Sequence, residues 1–310
     1  MIRLDNLHPI PESMRGAIVA LGNFDGFHQG HQAVVGEAIR WARAEGRRAI
    51  VATFDPHPVR LFQPDAAPFR LTTLDQREDL FAAAGADAML VLHFDRAMAT
   101  MGAAEWVEKE LVGHLGAAGV VTGQDFTFGK GRSGNPQILS EVGARFGLSG
   151  RTVGPVSNAG EIVSSSRIRD ALKVGDCETA ARLLTRPFAI RGPVQHGDKL
   201  GRQIGFPTAN MDLGSYLRPH YGVYAVTARL PDGRELPGAA NLGVRPQIDP
   251  PKELLEPHLF DFSEDLYGQE IEVAFHHFLR PEGKFASLDA LKAQIGVDCE
   301  QARNLLAGTA

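Results

Sequence analysis

The sequence predicts an α/β domain followed by a β-rich one, and three observations carry that expectation. From residue 17 to about 184, short apolar runs alternate with stretches of helical periodicity. After about 185, strand-like runs follow one another across tight turns. The texture changes at "LLTRPFAIRGPV", where Pro187 ends a helical pattern and a new strand begins. Alternating strands and helices predict a parallel sheet with helices on both faces, because each parallel crossover needs a returning segment. Strands joined by short turns predict antiparallel pairing, here a small barrel. The class is therefore α/β plus β, and 310 residues give each half enough chain for its own core. The boundaries expected are 1–184 and 185–310.

Taken in order, "MIRLDNLHPIPESMRG" is broken by charge and by Pro9 and Pro11, so it lacks the apolar run of a secretory signal and no export is expected. Strands are expected at 17–22, 48–54, 87–94, 118–123 and 151–156. Between the first two, residues 31–45 place Val34, Val35, Ala38, Ile39, Trp41 and Ala42 on one helical face. In the second half the runs at 221–230, 255–262 and 270–279 read as strands, with "PDG" at 231–233 as a turn. A final helix over 287–306 has Ser287 as N-cap, with Leu288, Leu291, Ile295 and Leu305 expected as its core contacts.

Composition narrows the function. The net charge of -5 has no basic block behind it, which argues against broad capture of nucleic acid or of an anionic membrane. The longest apolar runs are strand-sized, far short of a membrane span. Cys177 and Cys299 are far apart and belong to no C-x-x-C pair, so they read as two ordinary thiols in a reducing, cytoplasmic setting.

The most pointed stretch is "GNFDGFHQGHQAVV", Gly22 to Val35. Two histidines, His28 and His31, flank Gly30 where an apolar run gives way to a helix. If Gly30 opens that helix, the N–H groups and the helix dipole offer an anion site, and the missing side chain lets phosphate approach the backbone. A metal pair and a purely structural capping pair are the alternatives that the residues themselves leave open. The run "TFGKGRSG" invites a P-loop reading, but Gly123 and Gly129 are six apart and Lys130 is followed by Gly131, so the Walker spacing fails.

These residues carry a resemblance. "GNFDGFHQGH" resembles the H-x-G-H signature of the nucleotidylyltransferase superfamily, in the form seen in bacterial bifunctional riboflavin kinase/FMN adenylyltransferases. "TFDPHP", "GQDFTFGKGRSG" and "VSSSRIRDAL" follow in order and resemble that family's later nucleotide-binding motifs, with Ser166 where threonine is usual. The resemblance implies a Rossmann-like nucleotidylyltransferase domain in which FMN phosphate attacks the α-phosphate of ATP. It implies that His28 and His31 hold the reacting phosphate while Asn23 and Gly30 shape the approach. His57 would lie beside the phosphate pocket and Asp125 in the nucleotide site, with Ser164, Ser165, Ser166 and Arg169 gripping the triphosphate tail.

The second half resembles riboflavin kinases in "GDKLGRQIGFPTAN", "ANLGVRP", "LEPHLFDFSEDLYG" and "LRPEGKFASLDALKAQI". Glycines 197, 201 and 205, followed by Pro207, suggest backbone wrapped around an anion. The resemblance implies that Gly197, Lys199, Gly201, Gly205 and Pro207 cradle ATP, and that Thr208 and Asn210 ligate Mg²⁺ between its phosphates. Glu256 would be the general base and Arg280 would lie near the flavin. Two residues depart from the pattern: Gln247 stands where threonine is common, and Pro257 follows the proposed base. Proline lacks a ladder donor, so its strand is expected at an edge or bulged.

The whole pattern implies a cytoplasmic enzyme that takes riboflavin, FMN and ATP and binds neither nucleic acid nor membrane. One working site alone, or a flavin-sensing protein without catalysis, are the rivals.

Overall fold

The computed structural model describes residues 1–196, 201, 204–245 and 252–308. The chain divides into two compact units, one formed by Met1–Ala67 and Leu74–Ser164, the other by Pro68–Thr73 and Ser165–Ala310.

The first unit holds a six-stranded, all-parallel sheet. Its strands are β1 (Ile2–Asp5), β2 (Ile18–Leu21), β3 (Ala49–Asp55), β4 (Ala88–His93), β5 (Gly119–Gly123) and β6 (Ser149–Val153), in the order β1-β4-β3-β2-β5-β6. The five expected strands are present, and β1 adds a sixth in the segment that looked broken by charge and proline. A short antiparallel pair, β7 (Ser157–Asn158) and β8 (Glu161–Ile162), follows β6 in the chain. The four central strands are buried on both faces by alternation along each strand, while the edge strands β1 and β6 are largely exposed. Val19, Leu21, Ile50, Leu90 and Val120 face Trp106, Leu111 and Val142. Ile18, Ala20, Val51, Met89 and Val121 face Val34, Ala38, Trp41 and Phe81. The latter layer consists of α1 (Gln29–Ala44) and α3 (Leu74–Ala84), while α2 is the single turn Pro58–Phe62. The six residues expected on the inner face of α1 are its buried ones.

The second unit is a closed barrel of antiparallel strands, β9 (Phe188–Gln195), β10 (Asn210–Asp212), β11 (Gly222–Arg229), β12 (Glu235–Arg245), β13 (Lys252–Leu259) and β14 (Glu270–Pro281), in the order β10-β13-β12-β11-β14-β9. Two helices precede it, Ser165–Lys173 and Cys177–Leu184, and a long one, Leu288–Ala307, follows. Ser287 caps that last helix by accepting from the N–H of Ala290 at 3.1 Å, as expected.

Two expectations are corrected here. Leu288 is not a core contact: it is 53% exposed, and Leu291, Ile295 and Leu305 are only half-buried. The buried positions are Asp298, Ala302 and Leu306, spaced by four, with Ala302 and Leu306 packed on Ala225, Ala239 and Phe260. Pro257 is on neither an edge nor a bulge, since β13 has β12 on one side and β10 on the other. Its carbonyl accepts from Ala209 N at 2.9 Å, on the β10 side. The polar groups of one strand residue point the same way, so the missing N–H lies on the β10 side opposite Ala209, just beyond the ladder pairs Met211↔Leu255 and Asp212↔Leu254.

Both cysteines are free. Burial pushes the Cys177 thiol up to about 12 and that of Cys299 to about 11, so neither is a thiolate near neutrality.

Candidate active sites

In the parallel sheet the chain leaves β2 for β3 on one side and returns to β5 on the other, so the strand order reverses at β2. Ligands of such sheets bind beyond the carboxyl ends of the strands at that reversal. The loop after β2 leads to His28 and His31, the one after β3 holds His57, and the one after β5 holds Asp125. Topology thus brings to one end of adjacent strands three segments that are far apart in sequence.

His28 is the N-cap of α1, 5% exposed, and its Nδ1 accepts from His31 N at 3.4 Å. A ring nitrogen that accepts carries no proton, so the neutral His28 ring carries its proton on Nε2. The His28 and His31 rings stack with centroids 3.6 Å apart, and the edge of Phe24 meets His31. Gly30 has a packing reason to lack a side chain: a Cβ there would lie 3.2 Å from His28 Cε1 and 3.7 Å from the carbonyl of Val163, the second neighbour of Ser165. The side-chain oxygen of Asn23 is buried and accepts no hydrogen bond among the described residues. His57 caps α2, with Nδ1 accepting from Val59 N at 3.3 Å. Asp125 is exposed and folds its Oδ1 back to within 3.0 Å of where a Cβ on Gly123 would stand.

Ser164 closes the first unit, whereas Ser165, Ser166 and Arg169 belong to the second, on its first helix. Arg169 Nε donates to the carbonyl of Phe69 at 2.8 Å, and its guanidinium lies 5.4 Å from that ring.

In the barrel, Gly197 and Lys199 lie outside the described residues, as does Gln247. Gly201 leaves no room for a Cβ, which would collide with the Phe206 carbonyl and lie 3.3 Å from Thr208 Oγ1. Gly205 has φ +91°, a conformation that side chains resist. Pro207 gives its carbonyl to His258 Nδ1 at 2.7 Å, and Asn210 opens β10 opposite Gln195. Thr208 and Asn210 offer neutral oxygens suited to a hard cation. Among the described residues no group of three His, Cys, Asp or Glu could hold a metal. Such a cation would therefore depend on phosphate oxygens for its charge balance.

Glu256, 8% exposed, sits in the middle of β13. Register places it opposite Asn241, Asn241 opposite Val223, and Val223 opposite Arg280. Opposed residues share a face, so Glu256 and Arg280 lie in one row three strand spacings apart, roughly 14 Å measured along the curved barrel wall. Arg280 is held rigidly: Nε and Nη2 donate to the Asp298 carboxylate at 2.9 and 2.7 Å, and Nη1 to the Pro281 carbonyl. Gln294 completes the clamp on Asp298 at 2.9 Å.

Sequence reasoning missed Asp298 and also Arg77, which is 1% exposed on α3 and donates to Asn23 O at 3.0 Å and Thr53 Oγ1 at 2.6 Å. The one signal for Arg77 was its spacing of four from Phe81 on the inner face of the helix.

A histidine-bearing loop at the reversal point of a parallel sheet, and a barrel with its own glycines and buried carboxylate, suit a nucleotide-using transferase. Residues 10–167 match the FAD synthetase family and residues 184–306 the riboflavin kinase family. A bifunctional riboflavin kinase/FMN adenylyltransferase of Pseudomonas fluorescens is 41% identical over 98% of this chain and 97% of its own. The protein of the same description from Escherichia coli K12 is 40% identical over 95% and 94%, and that of Bacillus subtilis 36% over 95% and 94%. The crystal structure of a macrolide-efflux protein from Streptococcus pneumoniae superposes with a TM-score of 0.87 at 30% identity, covering 98% of this chain and 99% of that one. Efflux is said of that protein alone; among the described residues here no helix is long and apolar enough to cross a membrane. The chain belongs to the bifunctional riboflavin kinase/FMN adenylyltransferase family.

Proposed function

We propose that this chain makes FAD from riboflavin in two ATP-dependent steps, with the kinase in 185–310 and the adenylyltransferase in 1–184. The observation that carries the reading is that both family matches fall in one chain, over two different folds, with relatives of that description aligned nearly end to end.

In the kinase step Glu256 accepts the proton of the riboflavin 5′-hydroxyl, whose oxygen attacks the γ-phosphorus of ATP. The bond to the β–γ bridging oxygen breaks and ADP leaves, giving FMN. Arg280, fixed by Asp298, orients the flavin. Gly197, Lys199, Gly201, Gly205 and Pro207 surround the nucleotide. Thr208 and Asn210 hold Mg²⁺, which neutralises charge on the phosphates.

In the adenylyl step an oxygen of the FMN phosphate attacks the α-phosphorus of a second ATP, and pyrophosphate leaves. No acid–base group is needed on the nucleophile, so positioning and charge stabilisation do the catalysis. His28 and His31 donate to the α-phosphate from the start of α1, where the helix dipole adds to them. Asn23 and Gly30 shape the approach, and His57 and Asp125 flank the nucleotide. Ser164, Ser165, Ser166 and Arg169 grip the triphosphate tail in this reading, which the resemblance of their motif supports. We place both reactions in the cytoplasm, where two free thiols stay reduced.

Purified protein given riboflavin, ATP and Mg²⁺ should accumulate FMN and then FAD, resolved by chromatography over time. Given FMN instead, it should make FAD with release of pyrophosphate. Formation of neither product sinks the reading.

A further inference from the structure

The loop from Gly22 to His28 is held in an unfavourable shape. Phe24 has φ +48° and Phe27 φ +47°, with Gly26 between them at +87°. Two bulky residues in the left-handed region persist only where their surroundings force it. The force comes from α3. Phe81, fully buried, meets the edges of Phe24 and Phe27 with centroids 5.9 and 5.1 Å away. One turn earlier, Arg77 passes under the loop. Its Nη1 donates to Asn23 O at 3.0 Å and to Thr53 Oγ1 at 2.6 Å, while Thr53 donates its own proton to Asn23 O at 2.8 Å. One carbonyl thus receives two donors from α3 and β3.

A trans peptide points its C=O and N–H in opposite directions. With the Asn23 carbonyl turned to Arg77 and Thr53, the Phe24 N–H faces away from them, and it has no acceptor among the described residues. The buried, unpartnered Asn23 side-chain oxygen belongs to the same residue. A fixed peptide with an unused donor, four residues before His28, is what a phosphate site requires and what a loose loop would lose.

We infer that Arg77 is a positioning residue for adenylyl transfer, acting with Thr53 to lock the Asn23–Phe24 peptide in the phosphate loop. The inference rests on the reading of His28 and its loop as the phosphate site.

The test uses the full chain and measures FAD formation from FMN and ATP beside riboflavin phosphorylation, for Arg77→Met, Arg77→Lys, Thr53→Val and His28→Ala. Arg77→Met should lower kcat for FAD formation on the order of 10²-fold, since small misplacements near reacting groups cost that much. Its KM for ATP should stay within about threefold, because what is lost is transition-state alignment rather than uniform binding. Lysine can still donate to one carbonyl, so Arg77→Lys should recover about tenfold of the loss. Thr53→Val should lose about tenfold, and riboflavin phosphorylation should be unchanged in every variant. A brace with no catalytic bearing would lower the melting temperature and leave kcat per folded molecule alone, which overturns the inference. So does an equal fall in both activities. If Arg77→Met does not fold, Thr53→Val decides, and a kcat within about threefold of the parent overturns the inference. Parent-like FAD synthesis in His28→Ala would instead overturn the site reading beneath it.

Discussion

His28 and His57 each cap a helix with a ring nitrogen, Nδ1 accepting from the N–H of His31 and of Val59. When neutral, each therefore carries its proton on Nε2. Glu256 has a different task and gives a sharper test. Glu256→Gln keeps size and removes the proton acceptor, so riboflavin phosphorylation should fall about 10²- to 10⁴-fold. FAD formation from supplied FMN should be untouched; parent-rate phosphorylation would show that Glu256 is not the base. His276 on β14 gives a pH test. Burial, then the neighbouring His277, hold its pKa below 6.5, with Glu235 opposing, and the ring pairs with Thr227 Oγ1 at 3.0 Å. The unfolded chain therefore takes up a proton on falling through pH 6.5 before the folded one does, and stability is lost below that pH. The melting temperature of the parent should drop more than that of His276→Gln between pH 7.5 and 5.5. Parallel curves would remove His276 from the account.

At the scale of elements, the last helix shows what periodicity can and cannot read. Its start was legible because Ser287 is a cap residue at a fixed offset from Ala290, and caps act locally. Its inner face was not, because Asp298 looks like a solvated charge until the barrel brings Arg280 to it. We therefore expect Asp298→Ala to destabilise the second unit by about 3 kcal/mol, the cost of stranding one partner of a largely buried pair. Leu288→Ala, at an exposed position, should stay within about 0.5 kcal/mol. Denaturant titration separates the two, and equal effects would return Leu288 to the core. The central parallel strands were legible as continuous apolar runs, since both their faces are covered. β1 was not, being four residues long with two exposed positions. Pro257 was misread for a related reason: proline reports one missing donor, and only the sheet order shows that its strand is paired on both sides.

At the scale of the molecule, the boundary expected at 184/185 and the folding division at 164/165 do not coincide. Residues 168–183 lie between the two family matches, yet they pack with the barrel. His220 N donates to Leu172 O at 2.9 Å, and Glu178 meets His277 Nδ1 at 2.6 Å. A Cβ on Gly175 would press on the ring of Phe278, while Cys177, Ala180, Leu183 and Leu184 are buried. A fragment cut at 185 keeps the barrel strands and the proposed kinase residues but uncovers the outer side of β9 and β14 and leaves those hydrogen bonds to water. One cut at 165 keeps the two helices. Both should phosphorylate riboflavin, because Thr208, Asn210, Glu256 and Arg280 are in each. The 165–310 fragment should melt higher by on the order of 10 °C, the shift that a few kcal/mol of packing gives a domain of this size. Calorimetry on the two fragments decides it. Equal melting temperatures would mean that the helices ride on the barrel without supporting it.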